Sequence, residues 1–490
     1  MSSEHPAKSL QQYIDESPVW VDQTPVGRAP LTSMQWRIWC LACAGKFFEG
    51  LVVFMTGVAL PLLQIEFHLA PSESGLVGSA TLFGILVGAT ALGGLADAFG
   101  RKLMFILEMV LFTVCLVLAV LAPNFGWFLA ALFGMGLALG CDYPTAHVII
   151  SESIPSYVRG RLVLSAFGFQ AVGALAGTIV GLIILKVDKS MMDWRWMYAS
   201  AIVPAILVTV GRFFITQSGH WLLARGRVAE AERETERLLR RTPAYPKKVV
   251  LGPPGGKSAP HHASGGYWKL FSSPSALRAT VLASVPWFLQ DLGTYGIGIF
   301  TPTILASTIG SFDRPAETLN DVILRDMLAA RGAAVIDILL IVGIVAAIFF
   351  ADRIGRIKLQ IFGFIGCAFG LLLAAVSSNF DGFAKLFFIF AGFMLFNFMT
   401  NLGPNAMTYL IAGEVFPTRI RGLGAGFAAS FAKIGAVLTA FLFPILLKQI
   451  GTARLLHLLV ATSLLGALVT WWCRIETTGV NLETIGDDAR

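Results

Sequence analysis

Residues 93–102 read GGLADAFGRK and residues 349–358 read FFADRIGRIK. Both set an aspartate, a glycine and an arginine in one order, Asp97, Gly100 and Arg101 against Asp352, Gly355 and Arg356, 255 positions apart. A second pair, ESIPSYVRGR at 152–161 and GEVFPTRIRG at 413–422, matches Glu152 and Arg159 to Glu414 and Arg421 at an offset of 262. Two independent spacings that nearly agree mark one duplication, so the chain is built of two similar halves. In each short loop the carboxylate accepts charge-assisted hydrogen bonds from an arginine or a helix end, and the glycines permit a tight turn.

The segments around these loops are apolar. Of 490 residues 56% are hydrophobic and 14% charged, against about 25% charged in an ordinary soluble domain. That composition argues against a soluble enzyme, and neither a metal cluster, a nucleophile elbow nor a phosphate-cradling loop is legible. No cofactor is implied. The net charge of +7 is spread over short loops rather than gathered into a basic patch, which argues against nucleic acid. The cysteines Cys40, Cys43, Cys115, Cys141, Cys367 and Cys473 lie in or beside apolar stretches without a CxxC pair, so they read as small buried hydrophobes. The first 35 residues are polar and proline-containing and read as a cytoplasmic tail, not a cleavable signal peptide.

A helix needs about 20 apolar residues to cross a bilayer. On that rule twelve spans fall near 37–64, 75–97, 103–122, 126–150, 162–186, 194–215, 277–305, 330–351, 359–378, 384–412, 422–447 and 453–473. Lys and Arg gather after the second, fourth, eighth and tenth spans, at Arg101, Lys102, Arg159, Arg161, Arg353, Arg356, Lys358, Arg419 and Arg421. Positive loops stay inside, so both termini are expected in the cytoplasm. The polar stretch 216–276 carries a charged helical pattern, VAEAERETERLLRR, then a Pro/Gly/Ser segment, and reads as a cytoplasmic linker between a bundle at 36–215 and another at 277–473, with a tail at 474–490. The stretch 308–332 between the seventh and eighth spans reads as a short surface helix.

These motifs together resemble the major facilitator superfamily. The resemblance implies an all-α membrane protein with twelve transmembrane helices in two pseudo-symmetric six-helix bundles, in the plasma membrane, a bacterial inner membrane by expectation. It also implies alternating access, with the cytoplasmic charges Asp97, Arg101, Glu152, Arg159, Asp352, Arg356, Glu414 and Arg421 as a gate that latches the outward-facing state. Within the superfamily, GLALGCDYPTAHVIISE at 136–152 resembles the GGDYPLSATIISE signature of proton-coupled phosphate symporters of fungi and plants. Gln170, Trp287, Asp291, Tyr295, Asn405 and Lys433 continue that resemblance. With Tyr143 they are the substrate-binding residues it implies. The first span, AGKFFEGLVVFMTGVALPLL, resembles the FFDGYDLFVIGVALPLL pattern of related carriers, but has Val52 where a second acid is usual and adds Lys46. ITQSGHWLLARGR at 215–227 keeps only SxxWLL of the PESPRWLL motif of sugar carriers.

The residues themselves point the same way. Trp287, Asp291 and Tyr295 recur every four positions, so one helix face presents an indole, a carboxyl and a phenol together. Ionisable groups inside spans cost about 2.5–3.5 kcal/mol each at a helix centre and line pathways or pair with one another. The candidates are Lys46, Glu49, Glu108, Asp142, His147, Asp291 and Lys433. Glu49, Asp142 and Asp291 are the expected proton-coupling groups; Glu108 and His147 read as structural partners. Lys46 either pairs with Glu49 three residues on or joins Lys433 in holding an anion. The function expected is proton symport that imports a small anion, inorganic phosphate or an organic carboxylate, through a monomer in the lipid bilayer. Proton-coupled export of drugs or metabolites, and a nutrient sensor that binds without transport, are the alternatives.

Overall fold

The computed structural model describes residues 9–16, 30–92, 95–187, 189–241, 249, 251, 267–309, 319–417 and 420–477. The side chains of Asp97 and Tyr143 lie outside the described residues. The first half contains α2 (Ser33–Glu66), α3 (Pro71–Val87), α4 (Leu95–Phe99), α5 (Arg101–Val120), α6 (Phe125–Ser153), α7 (Ser156–Val187), α8 (Asp193–Ser200) and α9 (Ile202–Phe213). Three short helices lie outside these spans: α1 (Leu10–Asp15), α10 (Gly219–Ala224) and α11 (Val228–Leu239). The second half contains α12 (Pro274–Ile309), α13 (Leu319–Ile354), α14 (Arg356–Val376), α15 (Gly382–Leu402), α16 (Pro404–Glu414) and α17 (Arg421–Trp472).

Ten helical runs among the described residues are long and apolar enough to cross a membrane. The last of them breaks at Gly451 (φ 78°) into two helices, and α12, 36 residues long, completes twelve. On α5, Leu103, Leu107 and Val114 point outward and are about half exposed, while Phe105, Phe112 and Leu116 are buried. A helix apolar on both faces sits in lipid rather than water.

Several boundaries differ from the sequence reading. Of the stretch 308–332, residues 310–318 lie outside the described residues; from Leu319 it is not a separate surface helix but the start of α13, which runs without interruption to Ile354. The tenth span is two helices, since Gly403 (φ −113°, ψ −95°) breaks it before Pro404, which cannot donate a backbone bond. The second span passes through a π-turn at Gly88–Leu92. Cys40 is exposed and Cys473 half-buried, so those two are not core residues.

The halves meet through small residues. α3 packs on α17, α7 on α13 and α2 on α12; exchanging the halves turns the first of these contacts into the second. A Cβ on Gly57 would come 2.2 Å from the Ile299 carbonyl oxygen, and one on Gly75 2.2 Å from that of Phe441. Such close backbone approach is how apolar helices gain contact in lipid. These contacts seal the side of the molecule opposite α10 and α11. On the side of α10 and α11 the halves part around a cavity of about 320 Å³, lined from both by Tyr157, Arg161, Ile348, Asp352, Arg356 and Glu414.

Candidate functional site

Midway between the two sides, four helices bring six side chains into one network. Glu49 on α2 accepts through Oε1 from the Tyr295 hydroxyl at 2.9 Å, Gln170 Nε2 at 3.3 Å and Lys433 Nζ at 3.5 Å. Its other oxygen accepts from Lys46 at 2.5 Å. Lys433 on α17 also donates to the Tyr295 oxygen at 2.6 Å and lies 3.6 Å from Asp291 Oδ2. Gln170 on α7 donates to the same phenol at 2.9 Å. Tyr295 thus uses its one proton on Glu49 and both lone pairs on Lys433 and Gln170, which satisfies it. Glu49 and Asp291 are 3% and 1% exposed. Two lysines against two carboxylates make the buried set electrically balanced, the condition under which buried charge is tolerated.

Aromatic rings wall this network toward α10 and α11. Tyr409 of α16 stacks on Phe167 of α7 at 4.6 Å between centroids and meets Trp287 edge-on at 6.2 Å. A small cavity reaches from Lys46 and Glu49 past Phe167, Tyr409 and His147 to Asp142. Sequence reading passed over Tyr409, whose signal was available: it lies four residues after Asn405 on the same helix. Asn405 stands apart from the network and donates to Asn401 Oδ1 at 2.6 Å.

Asp142 belongs to a second group. It pairs at 2.6 Å with Arg212 of α9, which is fully buried and donates to the carbonyls of Phe105 and Leu41. Glu108 on α5 faces the same group, with Thr145 Oγ1 2.8 Å from its Oε1. A Cβ on Gly45 would come 1.7 Å from Asp142 Oδ2, so any other residue there displaces that carboxylate. Arg212 escaped the count of ionisable span residues although it sits inside the sixth. Asp337, buried on α13 inside the eighth span, escaped it too, and Asp326, also buried on α13, fell in the stretch read as a surface helix.

The residues expected to form a gate take one arrangement twice. Arg101 reaches the Ala96 carbonyl at 3.1 Å and Glu152 at 3.4 Å; Arg356 reaches the Ala351 carbonyl at 3.1 Å and Glu414 at 3.2 Å, and also Asp352 at 2.8 Å. Arg159 donates to the Ile154 carbonyl at 3.3 Å and Arg421 to that of Phe416 at 3.1 Å. Gly100 (φ 101°) and Gly355 (φ 100°) occupy the left-handed turns that precede α5 and α14. Gln217 Oε1 accepts from the amide of Lys102, while Glu476 accepts from those of Arg356 and Ile357. Ser218 then bonds Glu152 at 2.5 Å as Thr477 bonds Glu414 at 2.6 Å. The duplication therefore has a third matched pair, Gln217-Ser218 with Glu476-Thr477, which residue identity alone conceals. These ion pairs each lie within one half.

The profile of the family described as Sugar (and other) transporter matches residues 38–489. The chain belongs to that family. It is 29% identical to the inner membrane metabolite transport protein YgcS of Escherichia coli over 97% of this chain and 98% of that one. The niacin transporter NiaP of Acinetobacter baylyi is 28% identical, over 95% and 98% of the two chains. "Probable inorganic phosphate transporter 1-6" of Arabidopsis thaliana is 27% identical, over 91% and 92%. Among solved structures, the major facilitator superfamily proton:xylose symporter XylE superposes with a TM-score of 0.72 at 20% identity, covering 94% of this chain and 99% of that one.

This multi-pass membrane transporter has the major facilitator fold, as its loop motifs implied. Of the substrate-site residues expected from sequence, Gln170, Asp291, Tyr295, Lys433 and Lys46 meet with Glu49 in one network, and Trp287 stands at its wall. Asn405 is bonded elsewhere, the Tyr143 side chain lies outside the described residues, and Asp142, expected among the proton-coupling groups, pairs with Arg212. Lys46 pairs with Glu49, and through that acid both lysines belong to one site.

Proposed function

We propose that this transporter imports a small organic carboxylate together with a proton, by rocking its two halves about the central network. The observation that carries the reading is the balanced set of Lys46, Lys433, Glu49 and Asp291 beside an aromatic wall. A carboxylate entering it competes with Glu49 for Lys433, Tyr295 and Gln170, which supply charge-assisted bonds. Trp287, Tyr409 and Phe167 offer flat apolar surface to the rest of a planar substrate. A neutral sugar brings no charge to exchange against Glu49. The similarity to a niacin transporter, 28% identical over nearly the full length of both chains, supports the carboxylate, since niacin is a pyridine carboxylate.

The proton belongs to the second group. Arg212 faces two acids, Asp142 and Glu108, so this buried set is neutral only while one of them holds a proton. Glu49 and Asp291 take part when substrate charge enters the balanced network. The positive loops put α10, α11 and both chain ends in the cytoplasm, with 216–276 joining bundles at 36–215 and 277–473, and the chain working as a monomer. In this orientation the cavity beside Arg161 and Arg356 opens inward, and the Arg101–Glu152 and Arg356–Glu414 pairs hold the loops that latch when it closes.

Uptake into proteoliposomes under an imposed pH gradient, inside alkaline, tests the reading. Labelled niacin and aliphatic carboxylates are expected to accumulate, and accumulation to collapse with a protonophore. Uptake unmoved by the gradient overturns symport. Phosphate uptake that outcompetes every carboxylate gives the site to inorganic anion instead, the reading that the matched positions Gln170, Trp287, Asp291, Tyr295 and Lys433 favour.

A further inference from the structure

Asp337 lies near the middle of α13, is 3% exposed, and belongs to neither buried group described above. Its Oδ2 is 2.8 Å from Thr178 Oγ1 on α7, a hydrogen bond that crosses from one half to the other. The same hydroxyl is 3.1 Å from the Ala174 carbonyl oxygen. A threonine has one proton to give. If it serves Ala174, Asp337 must be protonated and donate to Thr178; if Asp337 is ionised, the hydroxyl turns to it and leaves Ala174.

Charge decides between the two. No lysine, arginine or histidine is ion-paired with Asp337 among the described residues. On the helices packed against α13, Lys46 and Glu49 of α2 and Asp291 and Tyr295 of α12 are bonded to one another in the central network. Arg356 of α14 and Glu414 of α16 pair at the cytoplasmic end. Tyr409 of α16 packs against Phe167 and Trp287. Cys367 of α14 reaches the Phe396 carbonyl. Lys186 stands in the last turn of α7 and Lys385 in the first turns of α15. An unpaired buried carboxylate is far costlier than a carboxylic acid with a hydrogen-bond partner. On either side of Asp337, Asn397 and Asn401 of α15 donate to the carbonyls of Ile336 and Leu340. α13 is thereby fixed to its own half, and the Thr178 bond is what must break when the halves move.

We infer that Asp337 is a proton-binding site of the interface between the halves, protonated while the external side is closed and ionised when it opens. Thr178 lies in the external third of α7, so external opening draws it from Asp337 and admits water to the carboxyl. Asp326, three turns toward the external end on the same face of α13, is also buried, and neither of its oxygens is hydrogen-bonded among the described residues. It supplies a polar step between Asp337 and the outside. The inference rests on alternating access and not on the identity of the substrate.

Backbone hydrogen exchange of peptides covering 179–187 and 319–336, followed against pH on the full-length protein without substrate and corrected for chemical exchange, is the test. In wild type the corrected exchange should rise with pH, as ionised Asp337 favours the open external side. Asp337→Asn should hold the low-pH level throughout, and Asp337→Glu should restore a pH response. Wild-type exchange that is flat with pH overturns the inference, whatever the variants do. So does an Asp337→Asn protein whose pH response equals wild type. Uptake that ignores a pH gradient while exchange follows this pattern overturns symport alone.

Discussion

The central network and the Arg212 group differ in charge and in placement. The first joins residues of α2, α7, α12 and α17 from both halves, and its two lysines balance two acids. The second lies wholly in the first half, where Arg212 faces Asp142 and Glu108 and Lys46 of the central network comes near Asp142. A balanced set can exchange one of its acids for an anionic substrate without creating net buried charge. An unbalanced set needs a proton to be buried at all. On the proposed reading the difference separates the two tasks of a symporter: the network that bridges the halves would read the substrate, and the one inside a half would hold the proton.

The separation can be broken at its strongest point first. Arg212→Met leaves two buried acids without a cation and should cost about 3–5 kcal/mol of stability, read as a large fall in melting temperature in detergent. Full thermal stability of that variant would mean the acids are already neutral. Lys433→Gln removes the cation shared by Glu49 and Asp291 and should weaken carboxylate binding by about 10- to 100-fold, since a charged hydrogen bond is worth about 1.5–3 kcal/mol. Calorimetric titration checks it, and unchanged affinity would take Lys433 out of the site.

Asp142→Asn tests the division of labour. It should abolish uphill accumulation under a pH gradient while leaving counterflow, because the substrate network is intact. Loss of both together would merge the two groups into one. The smallest effect is expected from Lys46→Gln: its ammonium bonds the other oxygen of Glu49 and reaches the substrate only through that acid, so binding should fall by less than the about 10-fold expected of Lys433→Gln. A loss as deep as that of Lys433→Gln would make both lysines direct ligands.

Much of this was legible along the chain. The face of Trp287, Asp291 and Tyr295 was readable because a helix repeats every 3.6 residues, and the duplicated loops because their turns need glycine and arginine at fixed spacings. Arg212 was passed over because one arginine in an apolar run looks like a boundary residue until its helix is packed. Tyr409 shares a helix face with Asn405 four residues before it, but its place beside Phe167 and Trp287 depends on which faces of α7, α12 and α16 meet.

The sequence by itself determined twelve apolar spans, two matched halves and a short set of ionisable residues within the spans, since the bilayer dictates span length and penalises every charge placed in it. The tertiary structure alone decided the partners. Lys433 meets Glu49 across 384 positions, Arg212 meets Asp142 rather than a lipid headgroup, and Asp337 meets Thr178 on the opposite half. In apolar helices the side chains that choose neighbours are nearly interchangeable, so the pairing of a buried charge is set by which faces close-pack, and that is a property of the assembled bundle.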